Sequence, residues 1–317
     1  MLYNFSELKY NEPINKQPHR GERMENTMKK TLTMILAVLM MVSCFAACTP
    51  ANNNDLQDTA GVNNFAGNND TTAAAGDDTT AAANSDLAFV QNKGKIVVGI
   101  TDYAPMDYKD ENGEWIGFDA DFAKLFAKEL DVEVEFFVIA DWSKKFYELE
   151  TKNIDVIWNG MTITDEVKLN TNCSDPYVVN AQVVVMKADK IDKYPNAESM
   201  KDLAIAVENG SAGQTAAEAT GSKTIIAVQD QAAALMEVAA GTSDACVIDI
   251  TMAYAMTGEG TNYADLAPGI SLTSEEYGVG FRKDSDITEK FNAFMAKLVA
   301  DGTLQQLADK YGVTLVK

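Results

Sequence analysis

A chain of 317 residues that is 46% apolar is long enough for two compact domains and has the side chains to fill their cores. Its formal net charge is −21; six of the 26 Lys/Arg and four of the 47 Asp/Glu precede Cys48, so the part from Cys48 onward carries −23. That excess repels phosphate and argues against nucleic acid as a partner.

Residues 1–27 have the composition of neither a signal nor a domain, and Met28 reads as the natural start, so the opening segment is taken as an over-extended N-terminus. It holds the single histidine, His19. In residues 28–47, Met28-Lys29-Lys30 precedes an uncharged apolar run, the pattern of a secretory signal peptide and too short for a stable membrane span. The run closes on "FAAC", which resembles the lipobox after which a bacterial signal peptidase leaves a lipidated cysteine, here Cys48; Cys44, after "MVS", has weaker context. Residues 48–85 are rich in Asn, Asp, Thr, Ala and Gly. They bury too little apolar surface to offset their ordering entropy, and read as a disordered tether.

Beyond the tether the apolar pattern changes. "KIVVGI" (95–100) predicts a buried strand, and "TDYAPMDYKDENGEW" after it carries turn residues. Phe122, Leu125, Phe126 and Leu130 recur at helical spacing. "VEVEFFVI" returns to strand, "WSKKFYELETKN" predicts a helix, and "NIDVIWNG" predicts a strand. The order βαβαβ implies a mostly parallel sheet with helices on its faces. "FYELETKNIDVIWNG" and "ALMEVAAGTSDACVID" share one design: helix, polar turn, Asp, apolar strand, polar terminus. Asn159 and Asp249 are therefore expected at strand carboxyl ends, where open α/β sheets bind ligands. A third polar loop, "AVENGSAGQTAAE" (206–218), leads through glycines into an alanine-rich helix. Its free amides can face an anion, and the absence of a following Lys-Ser/Thr pair excludes a P-loop.

These stretches, together with "GFDADFAK", "GMTIT", "SDPY" and "ADGTLQQLADKYG", stand in the order of a known family. From about Lys93 to Lys317 the chain resembles the extracellular solute-binding proteins of family 3, receptors that deliver polar amino acids to ABC importers. The resemblance implies a two-lobe, type II periplasmic-binding-protein-like α/β fold, each lobe a mostly parallel sheet flanked by helices. Lobe one would span 86–183 and 276–317, and lobe two 184–275. It also implies a monomer without cofactor or metal, lipid-anchored on the extracellular face of the cytoplasmic membrane or in the periplasm, whose lobe closure is read by ABC permease subunits.

Carried over by position, the family's ligand contacts fall on Tyr103, the stacking aromatic Trp142, Asn159, Gly160, Thr162, Ser211 and the amine-binding Asp249, with Asp102 added from a loop one residue shorter than usual. The family's carboxylate-clamping arginine corresponds to Val167, and Lys168 follows it. Thr164 is a candidate N-cap, which makes Val167 the third helical residue and turns Lys168 about 100° away. A buried carboxylate without a partner costs several kcal/mol. Either Lys168 or the amides near Thr162 and Ser211 therefore replace the arginine, or the ligand lacks the usual carboxylate. Asp165 and Glu166 already suit their helix's dipole, which leaves 209–213 as the better anion cradle. Asp249, Asp102, Tyr103 and Trp142 fit a cation between aromatic faces, and both an amino acid and a quaternary or simple amine satisfy that description.

Other classes rank lower. A dehydratase of the same fold would need catalytic groups, but there is no histidine beyond His19 and no nucleophile elbow, so no catalytic residue is assigned. Cys173 and Cys246 are expected as separate thiols. A sensory module would continue into a membrane helix, whereas this sequence stops at Lys317.

Overall fold

The computed structural model of the protein describes residues 85–317; the candidate signal, Cys48 and all but the last residue of the candidate tether lie outside them. Helix α1 (Asp86–Lys93) leads into β1 (Lys95–Ile100), and a hairpin of β2 (Tyr108–Lys109) and β3 (Trp115–Ile116) leads into α2 (Phe118–Glu129). Strand β4 (Glu133–Val138) is followed by a 3-10 turn (Trp142–Lys144) that runs on into α3 (Lys145–Glu150), then by β5 (Val156–Thr162), α4 (Asp165–Asn170), β6 (Asn172–Cys173) and β7 (Val178–Asn180). Next come β8 (Gln182–Lys187), β9 (Ala204–Glu208), α5 (Ala212–Ala219), β10 (Thr224–Val228), α6 (Gln231–Ala240), β11 (Ala245–Asp249), α7 (Ile250–Met256) and β12 (Leu266–Ser271). The chain closes with β13 (Glu275–Phe281), α8 (Ile287–Ala300) and α9 (Thr303–Tyr311).

Two sheets organise these elements. One has the order β4-β1-β5-β13-β6, with β7 also pairing to β13; the other has the order β10-β9-β11-β8-β12. In each, the βαβ half is parallel (β4, β1, β5; β10, β9, β11) and the remainder antiparallel. The sheets are thus mixed rather than mostly parallel. The reason lies in the crossings: β7 belongs to the first sheet and β8 to the second with only Ala181 between them, and residues 272–274 return the chain from β12 to β13. A strand that arrives straight from the other lobe has no crossover helix to turn it, so β8 and β13 run against β11 and β5.

The continuous apolar runs are explained by burial on both faces: every residue of β11 is buried, as is all of β1 after Lys95. The periodic positions Phe122 and Phe126 of α2 pack on Trp158 of β5 and on Phe291 and Phe294 of α8, with Phe122 and Trp158 edge to face at 5.0 Å. Such an aromatic pair adds about 0.5–1.5 kcal/mol beyond its buried area. Arg282, just past β13, clamps the base of the first lobe by donating to Asp86, to the Ile154 carbonyl and to Asp155. Cys173 and Cys246 are both free thiols. No helix among the described residues is long and apolar enough to cross a membrane.

Candidate functional site

The site is built where β1, β5, β9 and β11 meet across the two sheets. Strand β5 does not stop at Asn159 as expected but runs to Thr162. Its pairing with β1 ends at Ile157, but β13 pairs along the other edge at Val156 and Ile157 and, past a register shift, at Met161 and Thr162, so the strand remains extended. Asn159 is therefore a mid-strand residue, and its amide is spent within the first lobe: Oδ1 accepts from Thr101 N at 2.9 Å and Nδ2 donates to Thr101 Oγ1 at 2.7 Å. Its role is to fix the start of the loop that carries Asp102 and Tyr103.

Tyr103 is buried, with its hydroxyl 2.5 Å from both Thr251 Oγ1 and Tyr277 OH. Thr251 opens α7 in the second lobe, so this is a direct bond between lobes. Gly160 lies beneath the two rings at φ 56°, and a Cβ there would stand 2.6 Å from Tyr103 and 3.1 Å from Tyr277. Its amide donates to Asp119 Oδ2 at 2.6 Å. Burial pushes the Asp119 carboxyl up to about 7, against the hydrogen bonds from Gly160 and Tyr177 that lower it. Asp102 is exposed on the loop. Desolvation raises its carboxyl, and so does the charge of Asp230 on the other lobe.

Asp249, the last residue of β11, is 4% exposed and is the centre of an acid–amide cluster. Its Oδ1 accepts from Asn180 and Gln182, and its Oδ2 accepts from Gln231. The same two amides, Asn180 and Gln182, also donate to Glu275 Oε1 at 2.7 and 2.6 Å, and the Thr162 hydroxyl reaches that oxygen at 2.8 Å. Asn180, Gln182 and Glu275 flank the two crossings, so the cluster couples the hinge to the site. Burial, then Glu275, raises the Asp249 carboxyl to about 7. Two buried acceptors nearby, Asn180 Oδ1 and Glu208 Oε1, have no donor among the described residues.

At the rim, Trp142 is buried and belongs to an apolar cluster with Ile139, Met161 and Val167. Thr164 caps α4 by accepting from Val167 N, as the sequence predicts. Lys168 is exposed and lines a surface depression with Cys173, Asp175, Pro176 and Lys283, away from every other candidate. It is not brought to the site. In the second lobe Ser211 caps α5, its hydroxyl accepting from Gln214 N at 3.1 Å, so that its oxygen serves the helix. The amides of Ala212 and Gly213, in the first turn, have no intrahelical acceptor. Across the gap, Asn209 Nδ2 donates to Asp141 Oδ1 at 3.0 Å, and Lys145 Nζ donates to the Gly210 carbonyl at 3.1 Å.

Comparison with known proteins decides the lineage. Residues 96–314 match the model of the bacterial extracellular solute-binding proteins, family 3. The chain belongs to that family. This family 3 protein is 30% identical over 224 residues to the lysine/arginine/ornithine-binding periplasmic protein of Escherichia coli K12, a match covering 67% of this chain and 84% of the relative. It is 27% identical to the ABC transporter glutamine-binding protein GlnH of Bacillus subtilis, with 90% and 97% covered. Among crystal structures, a mutant of ArgBP from T. maritima matches with a TM-score of 0.67 and 31% identity, covering 71% of this chain and 98% of that one. The ancestral amino acid-binding protein AncCDT-1, a precursor of cyclohexadienyl dehydratase, matches with a TM-score of 0.65 and 32% identity over 72% and 99%. The fold is thus the type II periplasmic-binding-protein one, and these relatives are solute-binding proteins of amino-acid transport rather than enzymes.

Several residues that the fold brings to the candidate site are absent from the sequence-based expectation, and each leaves a signal in the sequence. Glu208 closes the apolar strand "AIAVE" as Asp249 closes "ACVID", yet only the latter drew notice. Asn180 and Gln182 interrupt the apolar run "YVVNAQVVVM" at a spacing of two, as side chains on one face of a strand would. Lys145 stands three residues after Trp142 and four before Leu149, on one helical stripe whose other members are apolar and buried.

Proposed function

We propose that the protein is the substrate-binding component of an ABC importer, capturing a small polar amino acid between its lobes and presenting the closed form to permease subunits. The observation that carries this is the cluster at Asp249: a buried carboxylate flanked by Glu275, with the orphaned acceptors Asn180 Oδ1 and Glu208 Oε1 beside it and Tyr103 near enough to feel its charge. Buried acceptors without donors are costly, and a ligand ammonium supplies donors and charge together. Relatives whose names specify arginine, cystine, glutamine and histidine support the amino-acid class. Lipidation at Cys48 would hold the protein, as a monomer, on the outer face of the membrane.

A second reading, an amine or quaternary ammonium solute without a carboxylate, draws on Val167, which is buried in the apolar cluster and offers no charge. Thermal unfolding of the purified protein with free amino acids set against their decarboxylated amines separates the two. A ligand at a hundred times its Kd adds about 2.7 kcal/mol, and at roughly 2–4 °C per kcal/mol the shift is readily read. Stabilisation by amines alone would eliminate the amino-acid reading.

A further inference from the structure

We propose that Lys145 is the residue that receives the anionic group of the bound solute, opposite the acid–amide cluster at Asp249. The inference rests on the reading that an amino acid binds between the lobes. Lys145 is 5% exposed and is the only buried lysine or arginine among the described residues. Its ammonium touches just two acceptors, the backbone carbonyls of Gly210 at 3.1 Å and Trp142 at 3.4 Å, both neutral. No carboxylate lies within ion-pair distance of it among the described residues, whereas Lys93, Lys95, Lys124, Lys187 and Arg282 all have one. A buried, unpaired ammonium costs several kcal/mol and is retained where something compensates it.

Its surroundings indicate an anion. The Gly210 carbonyl it holds belongs to the loop whose next turn offers the free amides of Ala212 and Gly213, so a fixed cation and a helix start converge on one place. The rings of Trp142 and Phe146 face the ammonium at 5.2 and 4.7 Å and keep water from it. Burial lowers its proton affinity, an effect that Glu166, Glu208 and Asp141 offset in part without pairing with it. Neither Val167 in its apolar cluster nor exposed Lys168 places a charge there. Together, Lys145 at one end and Asp249 at the other give the site the polarity of a zwitterion's complement.

The test compares wild type, Lys145→Met and Lys145→Arg by calorimetric titration with L-arginine, L-glutamine, L-histidine and L-cystine and with the α-carboxamide of each, which keeps the ammonium and loses the negative charge. Wild type is expected to prefer the best acid over its amide by 30-fold or more. Lys145→Met should erase most of the acid-over-amide preference, the amide itself losing only the roughly 2- to 12-fold that the missing Gly210 bond costs, and Lys145→Arg should restore most of the preference. A buried lysine that merely latches the lobes would, when removed, weaken acid and amide alike; that equal loss, or an unchanged acid affinity, overturns the assignment and leaves the amino-acid reading standing. Failure of every acid to bind wild type would instead overturn that reading and the assignment with it. Should Lys145→Met not fold, Lys145→Gln, which keeps a donor for the two carbonyls, reads the same ratio.

Discussion

Replacing Gly210 by alanine separates lobe closure from ligand contact. Gly210 has φ 73°, and a Cβ built on it stands 2.7 Å from Ser143 Cα and Cβ and 3.0 Å from Ser143 N, atoms of the opposite lobe. The backbone strain, about 1–2 kcal/mol for a non-glycine residue, is present whether the lobes are open or closed and lowers stability only. The collision exists only when they meet. Relieving it means backing the rim off until the Lys145–Gly210 and Asn209–Asp141 hydrogen bonds are lost. Two such bonds at about 0.5–1.5 kcal/mol each amount to about 1–3 kcal/mol against the closed form, a Kd weakened roughly 5- to 150-fold. Gly241→Ala is the control, because Gly241 has φ 77° and nothing within 4 Å of its would-be Cβ. Both variants should lose similar thermal stability without ligand, and only Gly210→Ala should lose affinity in calorimetry. Equal affinities for the two would refute the premise that binding requires this rim contact.

The carboxyls of Asp249 and Asp119 are raised to about 7 from an ordinary 3.8, so the folded state holds protons the unfolded chain has released. Stability without ligand should therefore fall as pH rises from about 5 to about 8, read as a declining Tm. An ammonium ligand needs Asp249 ionised, which burial and Glu275 oppose and the hydrogen bonds from Gln231 and Asn180 favour, so affinity should rise across the same interval, approaching tenfold per pH unit below 7. Asn159→Ala leaves the buried Thr101 amide unpaired and should cost about 1–3 kcal/mol in urea unfolding, with weaker ligand binding because the Tyr103 loop is released. Arg282→Met strips a partner from Asp155, whose side chain is fully buried, and should destabilise by about 3 kcal/mol in the same assay, the low end for a broken buried pair because Lys93 still reaches it.

The architecture was legible because two periods speak plainly in this chain. Continuous apolar runs such as 95–100 are strands buried on both faces, and Phe122, Phe126 and Leu130 are the core stripe of a helix. The direction of β8 and β13 was not legible, since antiparallel pairing follows from where the chain crosses between lobes, a tertiary fact with no local signature. The site divides in the same way. Tyr103 and Gly160 are in contact and Asp249 closes its strand as the pattern implies, but sequence distance hides the bonds that define them: Tyr103 meets Thr251 and Tyr277 across 148 and 174 residues. Asn159 was misplaced at a strand end because the polar pair Asn159-Gly160 looks like a terminus, whereas β13 supplies the partner that carries the strand past it. Lys168 drew attention as the cation nearest Val167 in sequence, and the helix turned it to solvent; Lys145, 22 positions before Val167, is the cation that burial selects.

The balance of forces across the gap explains why such a site can act as a trap. Among the side-chain bonds that join the lobes are Tyr103–Thr251, Lys145–Gly210 and Asn209–Asp141, these three together about 1.5–4.5 kcal/mol in favour of closure. Against them stands like charge across the gap, where Asp230 faces Asp102 and raises its proton affinity. A ligand shifts the population only by its differential affinity for the closed form. A positive group set among those acids removes the term that opposes closure, while a simple anion would add to it. On the proposed reading a zwitterion therefore favours closure where a simple anion does not, because its ammonium meets these acids while its carboxylate is received at Lys145.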